Sequence, residues 1–321
     1  MEHLVSIIIP TYRRSNLLGR AIDSVLNQTY KNIEVIVVDD NSAYDEYRKK
    51  NEEFMKKYEC IYNVKYIKHN ENKNGSVARN TGIKYASGEY IGFLDDDDEF
   101  HTEKIKTQVD YINKLDSSYG AVYCGFNIIR GNKLISSNKP YKEGILSKEL
   151  LTMSWGTGSG SNVLFKKNVL EEINGFDENL KRHQDWDVLL RMFRNYKIGV
   201  INEPLLNIYK DSRINIPNVE LFVDVKKYFF NKFKTDIEKI DIKYRNLIYQ
   251  RHSLEICISF IKNKKYKKAY KSLKVANNYF KLRLKDKISL ILVIIYTYLP
   301  FKERLLVLFS GIIDRFRIVK D

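Results

Sequence analysis

The segment IGFLDDDDEF, residues 91–100, sets five acidic side chains directly behind four largely apolar positions. Carboxylates at that density either grip a hard cation or form a solvated loop. If the backbone stays extended past Leu94, Asp95 and Asp97 point one way and Asp96 and Asp98 the other. Two carboxylates on one side, one residue apart, suit a divalent cation that also binds phosphate oxygens. Without a counter-ion, such neighbours in a partly buried cleft would repel and raise each other's pKa. A bare D-x-D triplet is more often a solvated loop, but its position behind a buried strand favours the cation.

These side chains need elements to carry them. The run VSIII, Val5 to Ile9, reads as a strand covered on both faces and ends at Pro10. In SNLLGRAIDSVLNQ the apolar residues Leu17, Leu18, Ala21, Ile22, Val25 and Leu26 recur at helical spacing, with Ser15 or Asn16 as the expected N-cap. A second buried strand, IEVIVVDDNS, stops at Asp39 and Asp40; VKYIKHN and YIGFLDDDD give two more, separated by the helical SVARNTGIKYASG with Gly88 as its expected stop. Strand alternating with helix predicts an α/β layer with a largely parallel sheet. In such sheets ligands gather at the carboxyl ends of the strands. Those ends carry Pro10-Thr11-Tyr12, Asp39-Asp40-Asn41 and Asp95 to Asp98. Any one of them could be a turn or cap, but three together mark a cleft.

With 321 residues, 44% hydrophobic and 13% aromatic, the chain can bury a sizeable core in one large domain or two. Cys60, Cys124 and Cys257 are too few and too scattered for a disulfide framework or a zinc site, and a reducing cytoplasm fits. The opening MEHLVSIIIP has an apolar run too short for a signal peptide, which argues against export. Charge is unevenly placed: residues 1–220 carry 31 Lys and Arg against 31 Asp and Glu, whereas residues 221–321 carry 24 against 9, the whole net +15. This shift predicts a domain boundary near residue 220 and a basic C-terminal part suited to an anionic surface. That part reads as helical. Its apolar run ISLILVIIYTYL, Ile288 to Leu299, is twelve residues long and ends at Pro300, short of the about twenty needed to span a bilayer. With the following FKERLLVLFSGIIDRFRIVK it has the pattern of a helix lying in a membrane interface over residues 288–320. The alternative is a helical tail that packs on the domain or forms a homodimer.

The stretches VSIIIPTYRR, AIDSVLNQTYKNIEVIVVDDNS, GSVARNTGIKYASGEYIGFLDDDDEF, GFDENL and HQDWDVLLR, in that order and spacing, resemble the family 2 inverting glycosyltransferases of the GT-A fold over about residues 1–210. The resemblance implies a Rossmann-like, mostly parallel central sheet flanked by helices, with the basic region as a C-terminal helical extension. It places Pro10 and Tyr12 in the P-x-Y motif, Tyr12 stacking on the nucleotide base, and Asp40 as acceptor of a hydrogen bond from uracil. It puts Arg79 of ARN beside the nucleotide and its phosphates. Asp95 would contact the ribose and Asp97 a Mn²⁺ or Mg²⁺ ion that bridges the diphosphate. The general base of inverting transfer falls on Asp185, preceded by Gln184 where Glu is commoner; Asp185 could also simply cap the helix WDVLLRMFRN. Asp187 is a weaker candidate for the base because its spacing fits the helix interior, and His183 either lines the acceptor pocket or faces solvent.

Other stretches are less specific. The Gly/Ser-rich WGTGSGSNVLF, Trp155 to Phe165, could wall donor from acceptor or serve turn geometry alone. Relatives often carry a histidine motif after the base helix; here IYKDSRINIP has none, leaving Lys210 or Arg213 to supply positive charge. No Q-x-x-R-W motif or set of transmembrane helices is present, so one sugar per encounter is expected. The resemblance thus implies transfer of a sugar from a nucleotide-sugar donor, a UDP-sugar foremost, to a glycan or lipid-linked oligosaccharide in surface polysaccharide synthesis. Peripheral contact with an anionic membrane on the cytoplasmic side would accompany it. Two alternatives differ in class. A silent sugar-nucleotide-binding module would keep the cleft without a base, and Asp185 argues against it. A nucleic-acid binder would use the basic tail, but the charge lies away from the motifs and no recognition module is evident, so no nucleic-acid partner is expected.

Overall fold

Uninterrupted Val and Ile runs open the chain because both faces of its first strands are covered. In the computed structural model, which describes residues 3–210, 218–282, 287, 288, 290 and 291, β1 (Val5–Thr11) and β2 (Ile33–Asp39) are buried almost throughout. They pair in parallel from Val5 opposite Ile33 to Thr11 opposite Asp39. β3 (Val64–Lys68) joins β2, and β4 (Tyr90–Phe93) joins β1, both in parallel. The crossovers are α1 (Leu18–Leu26), α2 (Glu46–Met55) and α3 (Gly75–Tyr85).

Beyond β4 the sheet is mixed. β8 (Val163–Lys166) runs antiparallel to β4 and to β6 (Tyr119–Arg130), which pairs in parallel with the long β9 (Lys197–Tyr209). The two-residue β5 (Glu99–Phe100) adds antiparallel to β9, and β7 (Lys133–Asn138) hangs on β6. The strand order is β3-β2-β1-β4-β8-β6-β9-β5. Helices α4 (Lys104–Ile112), α6 (Lys167–Glu172) and α7 (Gln184–Met192) complete the layer. Ile7, Ile9, Ile22, Val35, Val37 and Val109 belong to one buried cluster, each contributing roughly 1.5–3 kcal/mol by leaving water.

Two helix ends differ from expectation. α1 has Leu17 at its N-cap with no side-chain cap, because the chain first makes a turn closed by the Leu17 amide on the Arg14 carbonyl (3.1 Å). α3 ends at Tyr85, short of Gly88. Gly88 serves a close approach instead: a Cβ there would lie 2.7 Å from the Leu4 carbonyl oxygen and the Ser6 nitrogen. Gly82 plays the like part inside α3, where a Cβ would come within 2.3 Å of the Ile8 side chain. That contact sets how tightly α3 lies on β1.

The chain forms two compact units, Met1–Leu146 with Thr157–Ser212, and Ser147–Gly156 with Arg213–Asp321. The second unit is helical where described: α5 (Ser147–Leu151), α8 (Val219–Lys232), α9 (Lys234–Glu238), α10 (Ile242–Lys262) and α11 (Tyr266–Tyr279). α10 and α11 turn through Lys264 at φ 59°, with the Lys265 amide bonded back to the Phe260 carbonyl (2.9 Å). Val219, Cys257, Phe260, Ile261, Ala269 and Leu290 form this unit's buried cluster. Within it Lys226, almost wholly buried, bonds Glu255 (2.6 Å) and His252 (2.8 Å), and His252 reaches the Leu151 carbonyl (3.0 Å). Of the expected interfacial segment 288–320, only Ile288, Leu290 and Ile291 lie among the described residues. No helix among the described residues is long and apolar enough to cross a membrane.

Candidate active site

β4 delivers the acidic run, and a tight turn shapes it. The Asp98 amide donates to the Asp95 carbonyl (3.0 Å), so residues 95–98 form a β-turn rather than a continued strand. Burial still alternates: Asp96 and Asp98 are buried, Asp95 and Asp97 half-buried. Thr11 at the end of β1 donates its hydroxyl to Asp96 (2.8 Å). Burial pushes the Asp96 carboxyl up to about 7, with its acidic neighbours adding to the effect, and burial followed by the charge of Asp95 raises Asp98 as well. Burial thus works against full charge on the two buried carboxyls.

The Gly/Ser-rich stretch is the turn's scaffold. Ser161, fully buried, accepts a bond from the Asp95 amide (3.0 Å) and donates to Asp98 (2.7 Å). The Ser159 hydroxyl lies 3.1 Å from Asp98 and 3.3 Å from Asp95. Asn162 fixes the loop to β6, donating to the Cys124 (2.7 Å) and Thr157 (2.8 Å) carbonyls. The sequence singled out this stretch as a wall or a turn, without the separate roles of these three residues; the polar GSGSN immediately before an apolar strand was the available signal.

The three expected strand ends meet. The Asp40 amide donates to the Thr11 carbonyl (2.9 Å), and the Arg13 amide donates to the Asn41 side chain (3.0 Å). Pro10 is half-buried at the end of β1, and Tyr12 is 39% exposed with the Arg13 guanidinium 5.1 Å from its ring centre. Asp40 is buried and occupied: Oδ1 meets His69 Nδ1 (2.8 Å) and the Lys73 amide (2.9 Å), Oδ2 the Asn72 side chain (2.8 Å) and the Asn74 amide (3.0 Å). These four contacts take up the about four lone-pair sites that a carboxylate offers. Through these contacts Asp40 holds the 69–74 loop that leads into α3.

Arg79, on α3, connects two halves of the site. Its guanidinium donates to Asp95 Oδ1 (2.6 Å) and to Gln184 Oε1 (3.1 Å), while Gln184 donates to the Leu180 carbonyl (2.9 Å). The unusual glutamine is thus the anchor that keeps the start of α7 beside the turn. Asp185 follows in the first turn of α7, and His183, left-handed at φ 60°, holds the N-cap position expected as an alternative for Asp185. Burial pushes the Asp185 carboxyl up, opposed by the Trp186 amide and the charge of Arg79. That is the direction a general base working near neutral pH needs. Asp187 faces away from this chemistry: fully buried, it pairs with Arg191 (2.5 Å), which also bonds the Ile173 and Gly175 carbonyls. Of the two cations considered for the phosphates, Lys210 has its amide on the Ile129 carbonyl (2.8 Å), and Arg213 lies outside the described residues.

A divalent cation fits this donor set only in company. Among the described residues no group of three His, Cys, Asp or Glu side chains could hold a metal ion alone. Asp97 nevertheless offers a half-buried carboxylate whose pKa is raised by burial and, against the opposing charge of Arg14, by Asp95. One carboxylate completed by water and substrate phosphates is the usual way such sites hold Mg²⁺.

An α/β layer with this sheet order, an acidic turn after the fourth strand and a helical C-terminal region defines the GT-A class of glycosyltransferases. The chain belongs to glycosyl transferase family 2, whose model matches residues 6–174. An uncharacterised glycosyltransferase of Rickettsia prowazekii is 35% identical over 63% of this chain and 63% of its own length, so the match spans less than two thirds of that relative. AmsB, the amylovoran biosynthesis glycosyltransferase of Erwinia amylovora, is 30% identical over 74% of this chain and 80% of its own. WfgD of Escherichia coli, a UDP-Glc:α-D-GlcNAc-diphosphoundecaprenol β-1,3-glucosyltransferase, is 31% identical over 63% of this chain and 74% of its own. Among solved structures, S. aureus TarS 1–349 with UDP-GlcNAc matches with TM-score 0.53 at 18% identity, covering 98% of this chain and 89% of that one. The mannosyltransferase PcManGT of Pyrobaculum calidifontis with GDP-Man and Mn²⁺ matches with TM-score 0.55 at 16% identity, covering 99% and 88%. At those identities the two structures speak for the fold alone.

Proposed function

We propose that this chain is an inverting, metal-dependent glycosyltransferase that moves one sugar from a UDP-sugar to a hydroxyl of a glycan in bacterial surface polysaccharide assembly. The observation that carries the reading is the Asp95–Arg79–Gln184 bridge, which sets a cation-competent acidic turn beside the helix start that bears a carboxyl raised toward neutrality. In this reading Tyr12, next to Pro10, gives its ring to the base and Asp95 meets the ribose. Asp97 would hold Mn²⁺ or Mg²⁺ together with the diphosphate, and the ion's chemistry is Lewis-acid stabilisation of the leaving nucleoside diphosphate. Asp185 takes the proton of the acceptor hydroxyl as that oxygen attacks the anomeric carbon from the face opposite the leaving group. A single direct displacement inverts the anomeric centre. Arg79 orients Asp95 directly, ties the start of the Asp185 helix through Gln184, and lends positive charge near the phosphates.

Relatives lend direction on substrates. WfgD is named for UDP-Glc and a diphosphoundecaprenol-linked sugar, and AmsB for a polysaccharide, which supports a UDP-sugar and a lipid-linked glycan acceptor. Residues 1–220 are the catalytic part in this reading, and the basic remainder, 221–321, is suited to peripheral contact with an anionic membrane surface. The test is a pair of variants. Asp185→Asn should lower transfer by about 10²–10⁴-fold, the usual worth of a general base, with nucleotide binding nearly intact, whereas Asp97→Ala should weaken metal-dependent nucleotide binding. Full transfer by Asp185→Asn would remove Asp185 from the role of base.

A further inference from the structure

Three of the four aspartates in the turn are held by partners on well-ordered elements: Asp95 by Arg79 of α3, Asp96 by Thr11 of β1, and Asp98 by Ser161. Asp97 is different. Its carboxylate is ion-paired to Arg14, which also lies 3.3 Å from Asp96 Oδ1. Arg14 belongs to the loop between β1 and α1, outside any helix or strand, and its side chain is 49% exposed. Directly before it Arg13 takes a left-handed φ of 57°, which turns consecutive arginines to different partners, Arg13 to Asp45 (3.2 Å) and Arg14 to the acidic turn. Arg20 does not share the task, because it stacks on Tyr209 (3.6 Å) and, among the described residues, reaches Asp97 at its carbonyl (2.6 Å) rather than its carboxylate.

The carboxylate that the donor-site reading gives to a divalent cation is thus already paired with a long, half-exposed guanidinium side chain. Two cations on one carboxylate repel each other, so the arginine and the metal ion compete. We propose that Arg14 is a displaceable counter-cation: it neutralises Asp97 until the divalent cation arrives with the nucleotide diphosphate, then passes from carboxylate to phosphate oxygens, which its planar fork fits equally well. The inference rests on the reading of Asp97 as the cation's holder. Its consequence is that the metal ion alone binds poorly and metal with nucleotide binds well. A positioning residue of this kind couples the two ligands and keeps the acidic turn from standing uncompensated between turnovers.

The test uses the full chain as wild type, Arg14→Met and Arg14→Lys. Binding of Mn²⁺ alone is read from the paramagnetic resonance of the free ion, and binding of UDP at saturating Mn²⁺ by calorimetry. Thermal melts of all three are recorded first, so that each is shown to be folded under the binding conditions. Arg14→Met should bind Mn²⁺ alone about tenfold more tightly, a shift of about 1.4 kcal/mol, and UDP with Mn²⁺ about tenfold more weakly; Arg14→Lys should stay near wild type in the first measurement. Opposite signs are the signature, since a merely structural arginine would weaken both or neither. If wild type binds UDP with Mn²⁺ but Arg14→Met binds Mn²⁺ alone no more tightly, the counter-cation role is overturned and the donor site stands. If wild type binds no nucleotide with Mn²⁺, the donor-site reading fails and this inference with it.

Discussion

Ser161→Ala removes one oxygen atom from the scaffold of the acidic turn, and the structure allows its cost to be worked out. The hydroxyl is fully buried, accepts from the Asp95 amide at 3.0 Å and donates to Asp98 at 2.7 Å. Losing the acceptor leaves the N–H of the half-buried Asp95 without its partner, about 1–3 kcal/mol. Losing the donor costs less, roughly 1 kcal/mol, because the Ser159 hydroxyl also lies within reach of Asp98 and burial has raised the Asp98 pKa. Together they come to about 3 kcal/mol, which for a unit of this size lowers Tm by roughly 6–12 °C. Urea denaturation and thermal melts at neutral pH measure both. Ser161→Thr, which keeps the hydroxyl, should recover much of the loss. A Ser161→Ala variant within about 0.5 kcal/mol of wild type, the range of inert surface changes, would refute the claim that this loop holds the turn.

Other expectations concern residues beside the site. Asp187→Ala should destabilise by about 3 kcal/mol, the lower end for breaking a buried pair, since Arg191 keeps its two carbonyl partners; nucleotide binding should change little, and a large loss of binding without loss of stability in calorimetry would return Asp187 to the catalytic group. Lys104 is buried against Phe100 and Gln108, and burial lowers its pKa to about 8 from 10.5. The unfolded chain therefore holds more protons than the folded one between those values, so stability rises with pH across that window, and below it the full cost, at most about 3 kcal/mol, persists. Lys104→Met should abolish that rise in urea denaturation followed from neutral to alkaline pH, and an unchanged slope would contradict a charged Lys104 in the core.

Much of the donor half was legible because its signals are local. The Val and Ile runs of β1 and β2, the helical spacing of α1 and the polar strand ends each depend on neighbours a few residues away. The mixed half was not legible, since β5 is two residues long and exists only by pairing with β9 more than a hundred residues later. The same applies within the site. Alternating burial of the four aspartates followed from their spacing, but the β-turn that produces it depends on Ser161, 66 positions away from Asp95. Asp40 read as a ligand-facing carboxylate, and nothing local revealed its four contacts with the 69–74 loop. Gln184 looked like a weakened motif, and the structure makes it the residue that ties Arg79 to α7.

The central claim is that the acidic turn and its neighbours bind a sugar nucleotide through a divalent cation. Calorimetric titration of the protein with UDP-, GDP- and dTDP-sugars, each with Mn²⁺ and again with EDTA, tests it most directly. Saturable binding of a UDP-sugar that needs Mn²⁺ and is lost in Asp97→Ala is the expected result. A folded protein that binds no sugar nucleotide with Mn²⁺, or binds one equally well in EDTA, would contradict the account.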